Sequence, residues 1–233
     1  MMELLSLTPL EVEALRLSLW VSFWAMAGSL LPGILAAWVL ARSNFPGKAV
    51  LDGIIHLPLV LPPVVIGYLL LVLLGRKGIL GAALYNTLGI EFAFNWKGAA
   101  VASAVVAFPL LVRAIRLSID SVDRGLEDAA RTLGAGPVRV FFTITIPLVV
   151  PGILTGIILG FARSLSEFGA TITFVSNIPG ETRTLPLALY TLTQVPGGDA
   201  GALRLCIISI IVAMLALMAS EMLARRVALK MKG

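Results

Sequence analysis

The sequence predicts an all-α integral membrane protein with five transmembrane helices, N-terminus outside and C-terminus inside, and three observations carry that prediction. Hydrophobic residues fill 58% of the 233 positions and charged residues only 13%, a balance foreign to soluble domains. Five apolar windows are long enough to cross about 30 Å of hydrocarbon, which takes roughly 20 helical residues. The basic residues fall unevenly around those windows. Helices are the expected spanning element, because an open strand edge finds no hydrogen-bond partner in lipid.

The first window, Leu17–Ala41, follows a terminus bearing Glu3, Glu11 and Glu13 with no basic residue before Arg16. Without a basic n-region it is expected to stay as a membrane helix rather than leave as a secretory signal. The second, Ile54–Leu74, contains "HLPLVLPPVVIG", whose Pro58, Pro62 and Pro63 fit a broken helix lining a path. Gly75–Lys97 then mixes Arg76, Lys77 and Glu91 with Phe92, Phe94 and Trp96, which suits an interfacial turn with an aromatic belt better than a sixth span. The third window is Ala99–Ile119, with Pro109 inside it, and the fourth is Leu148–Phe174, with Pro147 and Pro151 at its start. In Ser176–Gly201, "NIPGETRTLP" and "TQVPGGD" mark turns. The fifth window, Leu205–Ala224, holds the single cysteine, Cys206, which alone says nothing about disulfides. No linker or clear repeat divides the chain, so residues 1–233 read as one membrane domain.

A formal charge of +5 would suggest nucleic acid in a soluble protein. Here it reads as orientation in membrane lipid, with no nucleic-acid partner. With the segment between the third and fourth windows cytoplasmic, Arg42, Lys48, Arg113, Arg116, Arg124, Arg131, Arg139, Arg225, Arg226, Lys230 and Lys232 lie inside. Only Arg16, Arg76, Lys77, Lys97, Arg183 and Arg204 lie outside. Eleven against six places the N-terminus outside and the C-terminus inside.

Motifs for chemistry are missing. There is no G-x-x-x-x-G-K-[ST] loop, no H-E-x-x-H, no cysteine pair and no G-x-S-x-G. His56 is the only histidine, so a histidine-dependent triad is excluded beyond that one position. The chain is expected to be no enzyme, with no catalytic residue, cofactor or metal, and any uphill transport must draw energy from a partner or a coupled ion.

One charged segment interrupts the apolar chain: "EDAARTLGAGPVRVFFTITIP", Glu127–Pro147, within a loop of about residues 120–147. Asp123 is placed to cap a helix of about ten residues, Glu127 and Asp128 lie near its positive end, and Gly134 can end it in the left-handed conformation. Leu126, Ala129, Ala130 and Leu133 form one small apolar stripe, while Arg124, Asp128 and Arg131 point elsewhere. So short a helix is marginal alone, and its stripe must dock on something. Pro137 suits the first turn of a second helix leading back to the membrane at Pro147.

These residues carry a resemblance. Ala129-Ala130, then Gly134, Ile144 and Pro147, resemble the E-A-A-x3-G-x9-I-x-L-P loop of ATP-binding-cassette importer permeases; Asp128 stands where that family has Glu, and Ile146 where it has Leu. Further text, including "ARSLSEFGA" and "SNIPGETRTLP", is similar to the molybdate transporter permeases of Gram-negative bacteria; sulfate and tungstate permeases share the first of these. The resemblance implies a multi-pass subunit of the bacterial inner membrane that works as a homodimer. Its partners would be two cytoplasmic ATP-binding subunits and a periplasmic oxyanion-binding protein. Glu127, Asp128, Ala129, Ala130, Arg131, Leu133 and Gly134 would then form the ATPase-coupling helix. A sulfate-type oxyanion permease is the alternative, and an ion-coupled secondary transporter a more distant one; the latter would need titratable groups inside the membrane, for which only Glu167 and Glu221 qualify.

Pathway or gate candidates are Pro62, Pro63, Arg163, Ser164, Ser166 and Glu167. On an unbroken helix Arg163 and Glu167 would lie roughly 24 and 30 Å beyond Pro147, where charges are costly and face protein or water. Arg163 either helps pass an anion or pairs with Glu167 to order an outer gate. The pairing is favoured, because a free cation on the path would hold a dianion too tightly to release it.

Overall fold

The computed structural model describes residues 8–232. Glu3 lies outside the described residues, as do the side chains of Glu221, Arg225, Arg226, Lys230 and Lys232. Regular structure among the described residues is helical throughout.

Helix α1 (Pro9–Arg42) opens with a capping box, in which the Thr8 amide donates to Glu11 Oε2 at 2.8 Å and the Glu11 amide to the Thr8 hydroxyl at 3.4 Å. Along one face Ala14, Ser18, Ser22, Ala25, Ser29, Gly33, Ala37 and Ala41 are buried. Small residues at that spacing let two helices approach closely, which is how helices associate where lipid is as apolar as leucine. The helix they meet, α5 (Trp96–Asp120), is the central post: 61% of its apolar window is buried, against 6% for the last helix, α11 (Asp199–Lys232). Leu111 and Ile115 of α5 pack with Leu40 near one end, and Ala99 and Val106 with Val21 and Phe174 near the other.

The fourth window follows the same rule. Helix α8 (Ile146–Leu165) lays Gly152, Gly156 and Gly160 against α5 and α1, so close that a Cβ on Gly156 would stand 3.0 Å from Leu111. That G-x-x-x-G-x-x-x-G run is a small-residue packing stripe in plain sequence, which the hydropathy reading passed over.

Two windows are not single helices. Ile54–Leu74 is divided into α2 (Lys48–Val60) and α3 (Pro63–Leu74), turned by 116°. The cause is Pro63, which forces Pro62 out of the helical region to ψ 132°, while neither proline has an N–H to continue the ladder. Among the described residues four helical segments are thus long and apolar enough to cross a membrane, and five if the bent pair counts as one span. Leu148–Phe174 likewise breaks after Leu165, and α9 (Gly169–Val175) starts afresh. The two segments expected to be turns contain short helices, α4 (Ile79–Leu88) and α10 (Leu185–Thr193).

Between α5 and α8 lie α6 (Arg124–Thr132), α7 (Pro137–Val140) and a π-helical turn, Phe141–Thr145, that runs straight into α8. Such wide turns are rare in helices and gather at functional sites.

Candidate functional site

The charged segment folds largely as its residues dictate. The Asp123 carboxylate accepts from the Gly125 amide at 2.8 Å and caps α6. Gly134 has φ +85°, and its amide and that of Ala135 return to the carbonyls of Arg131 and Ala130. Leu126 and Leu133 are 50% and 89% exposed and Ala129 is exposed, with Ala130 half-buried. Asp128 and Arg131 pair at 3.1 Å in the open, where such a bridge contributes little.

Glu127 behaves differently from its neighbours. It is buried and turned inward, where Oε1 accepts from Arg42 Nη2 at 3.1 Å and from the Thr145 hydroxyl at 2.7 Å. One carboxylate thereby ties the end of α1, the middle of α6 and the last residue of the π-helical turn. Neither Arg42 nor Thr145 was legible as a partner, since 85 and 18 residues separate them from Glu127.

At the other end of α8, Arg163 Nη1 stands 2.9 Å from Glu167 Oε2, although the helix has already ended. The second oxygen of Glu167 accepts from the Ala170 amide at 2.8 Å, capping α9. Ser166 is exposed and bonds back to the Arg163 carbonyl at 3.0 Å; Ser164 is buried with no partner for its hydroxyl. A Cβ on Gly169 would lie 3.0 Å from Pro63, and one on Gly67 would strike the Ala170 carbonyl. The break at Pro62-Pro63 and the corner at 163–167 therefore adjoin: candidates separated by a hundred residues meet where two interrupted helices cross.

On the same side as this corner, Glu11 accepts from Arg204 at 2.9 Å and joins the starts of α1 and α11. Close by in sequence to α10, the "SNIPGETR" loop is knotted on itself. Thr182 bonds both Ile178 and Ser176, and Asn177 bonds both Arg183 and Thr191. At the opposite end of α5, Arg116 bridges Asp52 at 2.9 Å, and His56 lies beside the same carboxylate. Among the described residues no group of three His, Cys, Asp or Glu side chains is placed to hold a metal ion.

The model of the binding-protein-dependent transport system inner membrane components matches residues 30–229. The molybdenum transport system permease protein ModB of Escherichia coli (strain K12) is 65% identical over 219 residues, which is 94% of this chain and 96% of that protein. Its counterpart in Haemophilus influenzae is 58% identical over 222 residues, 95% of this chain and 97% of that protein. A chain in the crystal structure of a bacterial alginate ABC transporter with its alginate-bound periplasmic protein superposes with TM-score 0.75 at 19% identity, covering 94% of this chain and 80% of that one.

Proposed function

Because the chain belongs to the binding-protein-dependent transport system inner membrane components, we propose that it is the membrane-spanning permease of an ATP-driven molybdate importer. It acts as a homodimer, with two ATP-binding subunits docked on the cytoplasmic face and an oxyanion-binding protein on the outer face. The translocation path runs between the two copies and alternates between outward and inward access. The observation that carries this reading is α6, a nine-residue helix whose Leu126 and C-cap Leu133 face away from the rest of the chain while Glu127 anchors it to α1. A stripe of that kind needs a groove in a partner. Molybdate as cargo rests on the likeness to molybdenum permeases along nearly the whole chain.

In this reading the bent pair α2–α3 is one span, giving five. The Glu11–Arg204 contact supports termini on opposite faces, because α1 and α11 start side by side and each crosses once. The basic ends mark the cytoplasmic side. Arg163 and Glu167 order the outer gate as a pair, and Ser164, Ser166 and the Pro62-Pro63 break border the path beside it. Outward-facing Leu126 and Leu133, with Ala129, Ala130 and Gly134, form the ATPase contact, and Glu127 positions them.

The test is reconstitution of the permease with its ATP-binding subunits in vesicles. Molybdate-loaded binding protein is expected to stimulate ATP hydrolysis and uptake, tungstate to do so comparably and sulfate far less. Equal stimulation by sulfate would move the assignment to a general oxyanion permease. Uptake driven by an ion gradient without ATP would remove the importer reading.

A further inference from the structure

Between the coupling segment and the end of α1 lie two adjoining cavities. One, of about 310 Å3, lies among Arg42, Arg124, Arg131, Glu127, Asp128 and Thr145. The other, of about 340 Å3, is lined by Leu35, Val138 and Phe142 and by no charged side chain. Trp38, Pro137 and Phe141 border both, so a charged chamber and a greasy one share a wall.

Three guanidiniums against two carboxylates leave the first chamber one positive charge. Glu127 engages Arg42 and Asp128 engages Arg131, while Arg124 has no ion-pair partner among the described residues. The buried Nε of Arg42 has no acceptor, a costly state for a buried donor. In the second chamber Val138 and Phe142 are 69% and 64% exposed. A ligand that satisfies both carries a single anionic group within a few atoms of a hydrocarbon chain.

The geometry points to a bound anionic phospholipid, its phosphate beside Arg124 and Arg42 and one acyl chain along Trp38, Phe141 and Phe142. Basic pockets between helices at the cytoplasmic surface attract such headgroups, and an indole at the rim sits at headgroup level. Inorganic phosphate or another free oxyanion would fill the first chamber and leave the second without an occupant. The lipid then wedges between α6 and the bilayer and sets the height at which the coupling helix is presented. This rests on α1 and α8 spanning a membrane with α6 at its cytoplasmic face, and is independent of which oxyanion is carried.

The full-length permease is purified with its ATP-binding subunits from a mixture of phosphatidylglycerol and phosphatidylcholine with identical acyl chains, and retained lipid is weighed by native mass spectrometry. Phosphatidylglycerol is expected to be retained preferentially. Arg124→Gln should lower that preference about fivefold, the effect of one arginine near an anionic surface, and Arg124→Lys should largely restore it. Phe142→Ala should lower retention several-fold, and millimolar inorganic phosphate should displace nothing. Equal retention of the two lipids, or indifference to both the Arg124→Gln and Phe142→Ala changes, overturns the inference. Displacement by free phosphate would make the chamber an ordinary anion site. Loss of the ATP-binding subunits on Arg124→Gln with lipid retention unchanged would assign the chamber to the ATPase interface instead, leaving the coupling reading intact.

Discussion

Two buried carboxylates at opposite ends of the molecule solve the same problem in different ways. Glu127 and Glu167 are 7% and 2% exposed, and each meets one arginine and one further donor. The partners of Glu167 lie three and four residues away, so its bonds shape a corner of one chain segment. Those of Glu127 lie 18 and 85 residues away, so its bonds hold separate elements together. The bonds of the corner at 163–170 are thus closed within one chain segment. The charged segment 120–147 is tied to the end of α1 by one long-range ion pair, and in the proposed reading such a tie can transmit a push from a partner.

That contrast predicts its largest effect at Arg42. Arg42→Ala leaves Glu127 buried without a counter-ion, a loss of about 3 kcal/mol or more, and it frees α6 from α1. Limited proteolysis should then cut within residues 120–147, and copurification with the ATP-binding subunits should fall sharply. Adding Glu127→Ala should recover part of the stability, because no charge is left stranded. If Arg42→Ala leaves the segment protected and the ATP-binding subunits attached, the pinning account is wrong.

At the 163–167 corner Arg163→Ala is expected to cost about 2 to 3 kcal/mol by the same mechanism, eased because Arg163 remains partly exposed and the Ala170 amide still serves Glu167. Transport should drop while ATPase association stays normal, and the Arg163→Ala, Glu167→Ala pair should be milder than Arg163→Ala alone. A double variant clearly worse than the single would assign the two residues separate transport roles. Loss of ATPase association from either change would erase the distinction between the ends.

How far each end was legible follows from the same difference. The Arg163–Glu167 pair could be read from four-residue spacing, and Asp123, Gly134 and Pro137 from capping and turn chemistry, because all of these are local. The inward turn of Glu127 could not be read, since Asp128, Glu127's neighbour, occupies the motif position and nothing periodic links either to Arg42. The break after Leu165 could not be read either: apolar content shows that a segment is buried and not that it is straight, and the restart at Gly169 depends on α9 crossing α3 at Gly67. The seam of small residues on α1 was in the text but invisible to hydropathy, which counts Ala, Gly and Ser without regard to how near they let a neighbour come.

Gly134 supplies a smaller and more local test of the charged segment. Its φ of +85° is disfavoured for a β-branched residue by about 1 to 2 kcal/mol, and a Cβ there meets no atom within 4 Å, so the penalty is one of backbone alone. Gly134→Val should leave a dimer in the membrane while uncoupling hydrolysis from loaded binding protein, and Gly134→Asn should do less, because Asn tolerates that region. Full coupling in Gly134→Val would mean that the exit from α6 does not set its docking angle.

The smallest expected effect separates the two bonds of Glu127. Thr145→Val keeps the branched shape within the π-helical turn and removes only the hydroxyl that reaches Oε1 at 2.7 Å. Glu127 keeps Arg42, so the loss should be about 1 kcal/mol, the net worth of one hydrogen bond. A thermal-unfolding shift well below that of Arg42→Ala, with the ATP-binding subunits still attached, is the expected result. The corner at Glu167 offers no equivalent, because its second donor is a backbone amide that ordinary substitution at Ala170 leaves in place. Should Thr145→Val match Arg42→Ala in severity, the π-helical turn rather than the ion pair would be what holds the coupling helix, and the pin would lie between α6 and α8 instead of between α6 and α1.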